Sequence, residues 1–177
     1  MVPRLLFVIG ASGVGKTSSL ARLRARDLPG VRCYSFDSLG VPDPATMLRD
    51  FGGGEQWQSA ATTKWVQMLA ANPDHAAVAV LEGQTRPSFV RAALAEVPVT
   101  PTAIVLLDCT PVVRSARLSG ARGQPELANA EMDRWAAYLR GQADALGLPV
   151  VDTSACTIEA IADALAAQVE QLASRAA

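Results

Sequence analysis

The chain has 177 residues, of which 50% are hydrophobic and 19% are charged, and its formal net charge is −1. This length suits a single domain with a sizeable buried core, so we expect residues 1–177 to form one domain. A charge so close to zero excludes a strong general attraction to nucleic acids or membrane surfaces. The apolar runs are shorter than the roughly 18 residues of a transmembrane helix, so we also expect no membrane span.

Five short apolar runs alternate with helical patterns along the chain. The predicted strands are Leu5–Ile9, Arg32–Phe36, Ala77–Leu81, Thr102–Leu107 and Pro149–Val151. Continuous hydrophobicity is typical of strands that helices cover on both faces. The order therefore predicts an α/β fold with a five-stranded parallel sheet between two layers of helices.

Capping residues indicate where several helices begin and end. Asp43 and Thr110 each precede a proline, and both side chains can cap a helix that starts at that proline. Gly52 and Gly147 are typical of residues that end helices. The last helix is predicted from Ile158 to about residue 173, because its apolar residues repeat at helical spacing.

The segment GASGVGKT, residues 10–17, joins the first predicted strand to the first predicted helix, and we call it the glycine loop. It matches the pattern G-x-x-x-x-G-K-[ST], in which backbone N–H groups surround phosphates, the lysine reaches the β- and γ-phosphates and the last hydroxyl binds Mg²⁺. A purely structural glycine turn is the alternative. The predicted nucleotide ligands are Gly10, Ala11, Ser12, Gly13, Val14, Gly15, Lys16, Thr17 and Ser18.

Acidic residues stand at or just past four of the predicted strand ends. They are Asp37, Glu82, Asp108 and Asp152. Ligands of parallel α/β folds bind at the carboxyl ends of the strands. These carboxylates are therefore candidates for work beside the glycine loop.

The chain resembles the small P-loop phosphotransferases, the group that contains adenylate kinase, shikimate kinase, gluconate kinase and chloramphenicol phosphotransferase. It lacks the N-K-x-D segment of GTP-binding switches and the H-R-D loop of protein kinases. The segments YSFDSLGVPDP, LEGQTRPSF, RGQPELAN and WAAYLR are similar to bacterial predicted kinases commonly labelled AAA-type ATPases. The resemblance implies a three-layer P-loop NTPase fold.

The resemblance also implies roles for residues after the second and third strands. Asp37 would orient the acceptor hydroxyl or accept its proton, unless it is only a helix cap. Thr17 would bind Mg²⁺ directly. Glu82 would hold a water bound to the same Mg²⁺, or serve as the base instead of Asp37. Arg86 would clamp a phosphate or carboxylate of the acceptor, and a surface ion pair is the alternative.

Two further segments would cover the ligands. The resemblance implies a mobile lid at about residues 114–130, with Arg114, Arg117 and Arg122 as candidates to reach over the triphosphate; a solvated basic face is the alternative. It also implies that the segment near Asp152 packs against the adenine.

An insertion at about residues 38–74 would cover the acceptor. Trp57, Ala61, Trp65 and Met68 share one helical face, which indicates either core packing or a platform on which Trp57 stacks against the acceptor. The segment ELANAEMDRWAAYLR could line the acceptor pocket or support the lid.

The leading hypothesis is a cytoplasmic kinase that uses ATP and Mg²⁺ and acts on a small nucleotide or another hydroxylated metabolite. Lys16 and Arg122 would stabilise charge on the transferred group. Three scattered cysteines suit a reducing cytosol. The alternatives are a nucleic-acid end kinase, which the near-neutral charge disfavours, and a regulatory ATPase without an acceptor. The acceptor, the base preference and the oligomeric state stay open.

Overall fold

A parallel sheet of five strands forms the centre of the described molecule, in the order β2-β3-β1-β4-β5. The computed structural model describes residues 3–97, 99, 101–120 and 122–174. The strands are β1 Arg4–Ile9, β2 Val31–Ser35, β3 Val78–Gly83, β4 Thr102–Asp108 and β5 Val150–Asp152. The predicted five-stranded parallel sheet is confirmed, with small differences at the strand ends.

Seven α-helices follow the strands in this part of the chain. They are α1 Lys16–Arg24, α2 Pro44–Phe51, α3 Gly54–Ala71, α4 Pro87–Glu96, α5 Pro111–Ser119, α6 Ala130–Ala145 and α7 Ile158–Ser174. The predicted caps are present, since Asp43 accepts a hydrogen bond from the Thr46 amide at 3.0 Å and Thr110 accepts one from the Val113 amide at 3.4 Å. Among the described helices, none is long and apolar enough to cross a bilayer.

The residues of β1 alternate between two hydrophobic clusters, one on each face of the sheet. Phe7 belongs to the cluster that includes residues of α3, α4 and α6. Val8 belongs to the cluster that includes residues of α1 and α7. Both side chains are at most 1% exposed. Helices therefore cover both faces of the sheet, which explains why the strands are apolar throughout.

The strand register brings the ends of β1, β2 and β3 to one edge of the sheet. Ile9 pairs with Gly83, and Ser35 pairs with Glu82. A short 3₁₀ helix, Phe36–Leu39, follows β2 at the same edge. Trp65 of α3 donates a hydrogen bond from its indole nitrogen to the Phe36 carbonyl at 3.0 Å. The chain segments that leave these three strands therefore start side by side.

Gly83 leaves room for the side chain that begins this 3₁₀ helix. A Cβ at Gly83 would lie 2.4 Å from Phe36 Cβ, and Phe36 is only 3% exposed. We therefore expect Gly83→Ala to lower the free energy of unfolding by about 1–3 kcal/mol through overpacking. Chemical denaturation measures this loss.

Gly141→Ala is the matched control, because Gly141 lies in α6 and a Cβ there would meet nothing within 4 Å. This substitution should stabilise the protein slightly, since alanine favours helix more than glycine does. Equal stability of Gly83→Ala and the parent protein would show that the contact with Phe36 is not restrictive.

Candidate active site

The glycine loop connects β1 to the first turn of α1. Gly15 has a φ of 99°, in the left-handed region, and the helix begins at the next residue, Lys16. A Cβ at Gly10 would lie 2.5 Å from the carbonyl oxygen of Leu107 in β4. The loop thus passes so close to the sheet that a side chain at Gly10 does not fit. It also places the positive end of a helix dipole at the carboxyl edge of the sheet, where an anion is favoured.

Lys16 is buried within the glycine loop, with 6% of its surface exposed. Its Nζ atom donates hydrogen bonds to the carbonyl oxygens of Gly10 and Ala11, both at 2.9 Å. Burial lowers the pKa of Lys16 to about 8, although the negative charges of Glu82 and Asp37 favour the ammonium form. An anion bound at the loop would favour this charge further, because opposite charges nearby raise a lysine pKa.

Glu82 connects the ends of β2 and β3 to the first turn of α1. Its Oε1 atom accepts hydrogen bonds from Ser35 Oγ at 2.8 Å and from Thr17 Oγ1 at 3.4 Å. The residue is 4% exposed. Mg²⁺ prefers such carboxylate and hydroxyl oxygens, and it commonly uses only one or two protein ligands beside phosphates and water. Thr17 and Glu82 therefore fit Mg²⁺, whereas the described residues contain no cluster of three or more acidic, histidine or cysteine side chains that could hold a metal alone.

Asp37 lies in the 3₁₀ helix after β2, and it is exposed. Its charge raises the pKa of Lys16, so its electrostatic influence reaches the glycine loop. Its neighbour Phe36 is buried and hydrogen-bonded to Trp65, which fixes the helix that carries the carboxylate. The structure thus places Asp37 and Glu82 at the same edge of the sheet as Lys16, one exposed and one buried.

A cavity of about 530 Å³ adjoins the glycine loop, and we call it the loop cavity. Its lining includes Gly13, Gly15, Lys16, Thr17, Ser18, Arg117 and Arg122. Arg122 lowers the pKa of Lys16 by its positive charge, and it donates a hydrogen bond to Gln124. The structure therefore brings the predicted residues Arg117 and Arg122 to the loop.

Arg117 is held by the segment after β5. It donates hydrogen bonds to the carbonyl oxygen of Thr153 at 2.7 Å and to Thr153 Oγ1 at 3.0 Å. Thr153 in turn donates from Oγ1 to the carbonyl oxygen of Val14 in the glycine loop at 2.9 Å. Thr153 was not singled out from the sequence, although it directly follows the strand-end residue Asp152.

Asp152 itself is exposed and accepts a hydrogen bond from the Ser154 amide at 2.9 Å. The hydrogen bonds of Ser154 hold the pKa of this carboxyl below its usual range. The contact between this segment and the glycine loop is thus made by Thr153, and a role for Asp152 at the nucleotide stays a prediction.

A second cavity, of about 500 Å³, lies against α6, and we call it the α6 cavity. Its lining includes Arg86, Asn129, Glu131, Arg134, Trp135 and Tyr138. The segment ELANAEMDRWAAYLR therefore contributes a cavity wall. Trp57, the predicted platform, instead packs edge-on against Phe36 with ring centroids 6.2 Å apart, and its role at an acceptor stays a prediction.

Arg86 lies between aromatic rings and α3. Its guanidinium carbon is between 5.0 and 5.6 Å from the ring centroids of Phe89, Trp135 and Tyr138. It donates a hydrogen bond to Gln58 Oε1 at 2.5 Å, and it approaches Glu55 Oε2 at 3.3 Å. The Arg86 side chain is 18% exposed, whereas that of Glu55 is 62% exposed. A largely buried cation with one exposed carboxylate partner is well suited to bind a further anion.

The lid role considered for Arg114 is not supported by its position. Arg114 is 2% exposed, forms an ion pair with Asp133 at 2.5 Å and donates to the Cys109 carbonyl at 3.2 Å. A Cβ at Gly13 would lie 3.0 Å from Arg114 Cγ, so the arginine stem packs against the glycine loop. Arg114 therefore anchors α5 and packs against the glycine loop at Gly13. The rest of the predicted lid, about residues 114–130, stays a prediction.

The comparisons with known proteins find similar folds among solved structures, whereas no family model and no curated protein matches the sequence. Shikimate kinase from Acinetobacter baumannii, in complex with shikimate, aligns with a TM-score of 0.63 and 16% identity over 97% of this chain and 94% of that one. A gluconokinase from Sinorhizobium meliloti 1021 aligns with a TM-score of 0.64 and 18% identity, over 97% of this chain and 94% of that one. The Deinococcus radiodurans tunicamycin resistance protein aligns with a TM-score of 0.67 and 19% identity, over 94% of this chain and 95% of that one. The predicted likeness to small P-loop kinases is thus confirmed for the fold.

Support of the glycine loop by Arg114 can be tested through stability. Arg114→Ala removes the ion pair with Asp133, leaves the Cys109 carbonyl without this donor and opens space below Gly13. We expect the free energy of unfolding to fall by about 2 kcal/mol or more, measured by chemical denaturation.

Arg49→Ala is the matched control, because Arg49 is exposed and pairs with its neighbour Asp50. It should leave the denaturation midpoint unchanged, as exposed ion pairs contribute little. If both variants were as stable as the parent protein, the anchoring role of Arg114 would be wrong.

Proposed function

We propose that the protein is a phosphotransferase that uses ATP and Mg²⁺ to phosphorylate a hydroxyl group on a small anionic metabolite or nucleotide. The single observation that supports this best is one side chain that connects the glycine loop to the wall of the α6 cavity. Gln84 is hydrogen-bonded to Ser12 of the glycine loop and to Trp135 of the α6 cavity. A single side chain thus connects the glycine loop to the wall of a separate cavity that could hold a second molecule, which a regulatory ATPase does not need.

The loop cavity supplies the groups that phosphoryl transfer requires on the donor side. The ammonium of Lys16 and the guanidinium of Arg122 would neutralise charge on the transferred group. Thr17 and Glu82 would hold Mg²⁺, which supplies further charge neutralisation on the phosphate oxygens when it is bound. The N terminus of α1 adds its dipole at the same place.

The two carboxylates suit different tasks. Glu82 is buried, and its Oε1 atom already accepts hydrogen bonds from two hydroxyl groups, which suits the metal side of the site. Asp37 is exposed on the 3₁₀ helix after β2, and the charge of its carboxylate raises the pKa of Lys16. We therefore assign the orientation of the acceptor hydroxyl, and acceptance of its proton, to Asp37.

The α6 cavity is the proposed acceptor site, and Arg86 the group that binds an anionic part of the acceptor. Its guanidinium is shielded by aromatic rings, and attraction between charges is stronger in such surroundings than in water. We place the reaction in the cytoplasm, where free thiols persist, since Cys33, Cys109 and Cys156 are unpaired with one another.

Lys16→Ala should abolish acceptor phosphorylation, with a fall in turnover of roughly a hundredfold or more. Folding should persist, because the substitution removes a charge whose burial is unfavourable. The measurement is ADP release together with the mass gain of each acceptor in a panel of nucleosides, nucleotides, sugars and sugar acids.

Lys64→Ala provides the control, as Lys64 is the other lysine of the chain and lies exposed on α3. This variant should keep full activity. Phosphorylation at the parent rate by Lys16→Ala would refute the assignment of the glycine loop as the donor site.

Arg86→Met should raise the KM for the acceptor roughly tenfold or more, because it removes a charged hydrogen-bond donor. The KM for ATP should stay within about twofold, since Arg86 lines the α6 cavity and not the loop cavity. Steady-state kinetics with each substrate varied in turn measures both constants.

Arg91→Met is a control on the same helix, at an exposed position. It should change neither constant. An ATP hydrolysis rate that no acceptor in the panel increases, and that Arg86→Met leaves unchanged, would favour a regulatory ATPase over a kinase.

A further inference from the structure

Gln84 bridges the glycine loop and α6, directly after β3. Its Nε2 atom lies 2.9 Å from Ser12 Oγ, and its Oε1 atom lies 3.1 Å from the indole Nε1 of Trp135. Its backbone carbonyl accepts a hydrogen bond from Gln58 at 2.7 Å. Backbone and side chain are therefore both fixed, and neither the glycine-loop motif nor the strand-end carboxylates account for this residue.

The indole group of Trp135 determines which way the Gln84 amide faces. An indole N–H can only donate, so the amide atom opposite it must be the oxygen. The amide nitrogen then faces Ser12 and donates to its hydroxyl oxygen. Because Ser12 is the acceptor in that hydrogen bond, its own hydroxyl hydrogen is left to donate to another group.

The position of Ser12 indicates what that other group is. Ser12 is 2% exposed and directly follows Gly10 and Ala11, whose carbonyls hold the Lys16 ammonium. The opposite part of the loop, at Gly13 and Val14, is approached by Arg117 and Thr153. Ser12 thus contacts Gln84 and, through it, the wall of the α6 cavity, and under the proposed function the terminal phosphate of a nucleotide would lie on this side of the loop.

We propose that Gln84 is a positioning residue that presents the Ser12 hydroxyl as a hydrogen-bond donor to the terminal phosphoryl group. The protein would thereby bind a triphosphate more tightly than a diphosphate. Trp135, in the wall of the α6 cavity, fixes the amide and so links that cavity to the glycine loop. This inference rests on the proposed nucleotide site, but it concerns a contact that the site does not require.

The test compares the affinities of Mg-ADP and of the Mg²⁺ complex of the β,γ-imido analogue of ATP by calorimetry, without any acceptor. Gln84→Met should lower the preference for the ATP analogue over ADP roughly tenfold or more, with ADP affinity little changed. Ser12→Ala should do the same. The double variant should lose no more than the larger single loss, because both substitutions remove the same contact.

Trp135→Phe keeps an aromatic ring, although a smaller one, but removes the N–H group, so it should reduce the same preference with the polar side chains of Ser12 and Gln84 intact. Gln67→Met is the matched control, since Gln67 is exposed on α3. It should leave both affinities unchanged. Denaturation curves confirm that each variant is folded.

The outcomes separate this inference from the proposed function. If the parent protein binds neither nucleotide, the nucleotide site and the inference both fail. If it binds both nucleotides without preference, or if folded Gln84→Met and Trp135→Phe keep the preference of the parent protein, only the role of Gln84 is overturned.

Discussion

The buried ammonium of Lys16 is the interaction on which the site depends. A cation removed from water is unfavourable unless nearby groups compensate for the lost hydration. Here two loop carbonyls at 2.9 Å provide that compensation, helped by the charges of Glu82 and Asp37. The path of the loop, the first turn of α1 and the two strand-end carboxylates therefore form one electrostatic unit, and a change in any of them alters the others.

The parallel arrangement of the strands is enough to bring the residues of this unit together. Parallel strands that are in register end at the same edge, so residues distant in the sequence become neighbours. Glu82 reaches Thr17 across 65 positions and Ser35 across 47. The two hydrophobic clusters that hold β1 from both faces keep this edge rigid, which is what precise placement of polar groups requires.

The strands and the glycine loop could be predicted because their signals are local. A run of apolar residues or a complete eight-residue motif is visible in a short window of sequence. Arg114 shows the limit: its spacing from Arg117 predicts a shared helix face but not that Arg114 would be buried against Asp133. The hydrogen bonds of Gln84 could not be predicted either. Its partners lie 72 and 51 positions away in the sequence, and a single glutamine belongs to no recognisable motif.

The two cavities differ in the kind of residues that line them. Most residues that line the loop cavity belong to the glycine loop and the first turn of α1. Much of the α6 cavity is instead formed by Glu131, Arg134 and Tyr138, which are exposed on one helix. Substitutions at exposed helix positions usually change stability little. Natural variation can therefore change the wall of the α6 cavity at little cost in stability, whereas the glycine loop tolerates little change because a side chain at Gly10 would collide with β4.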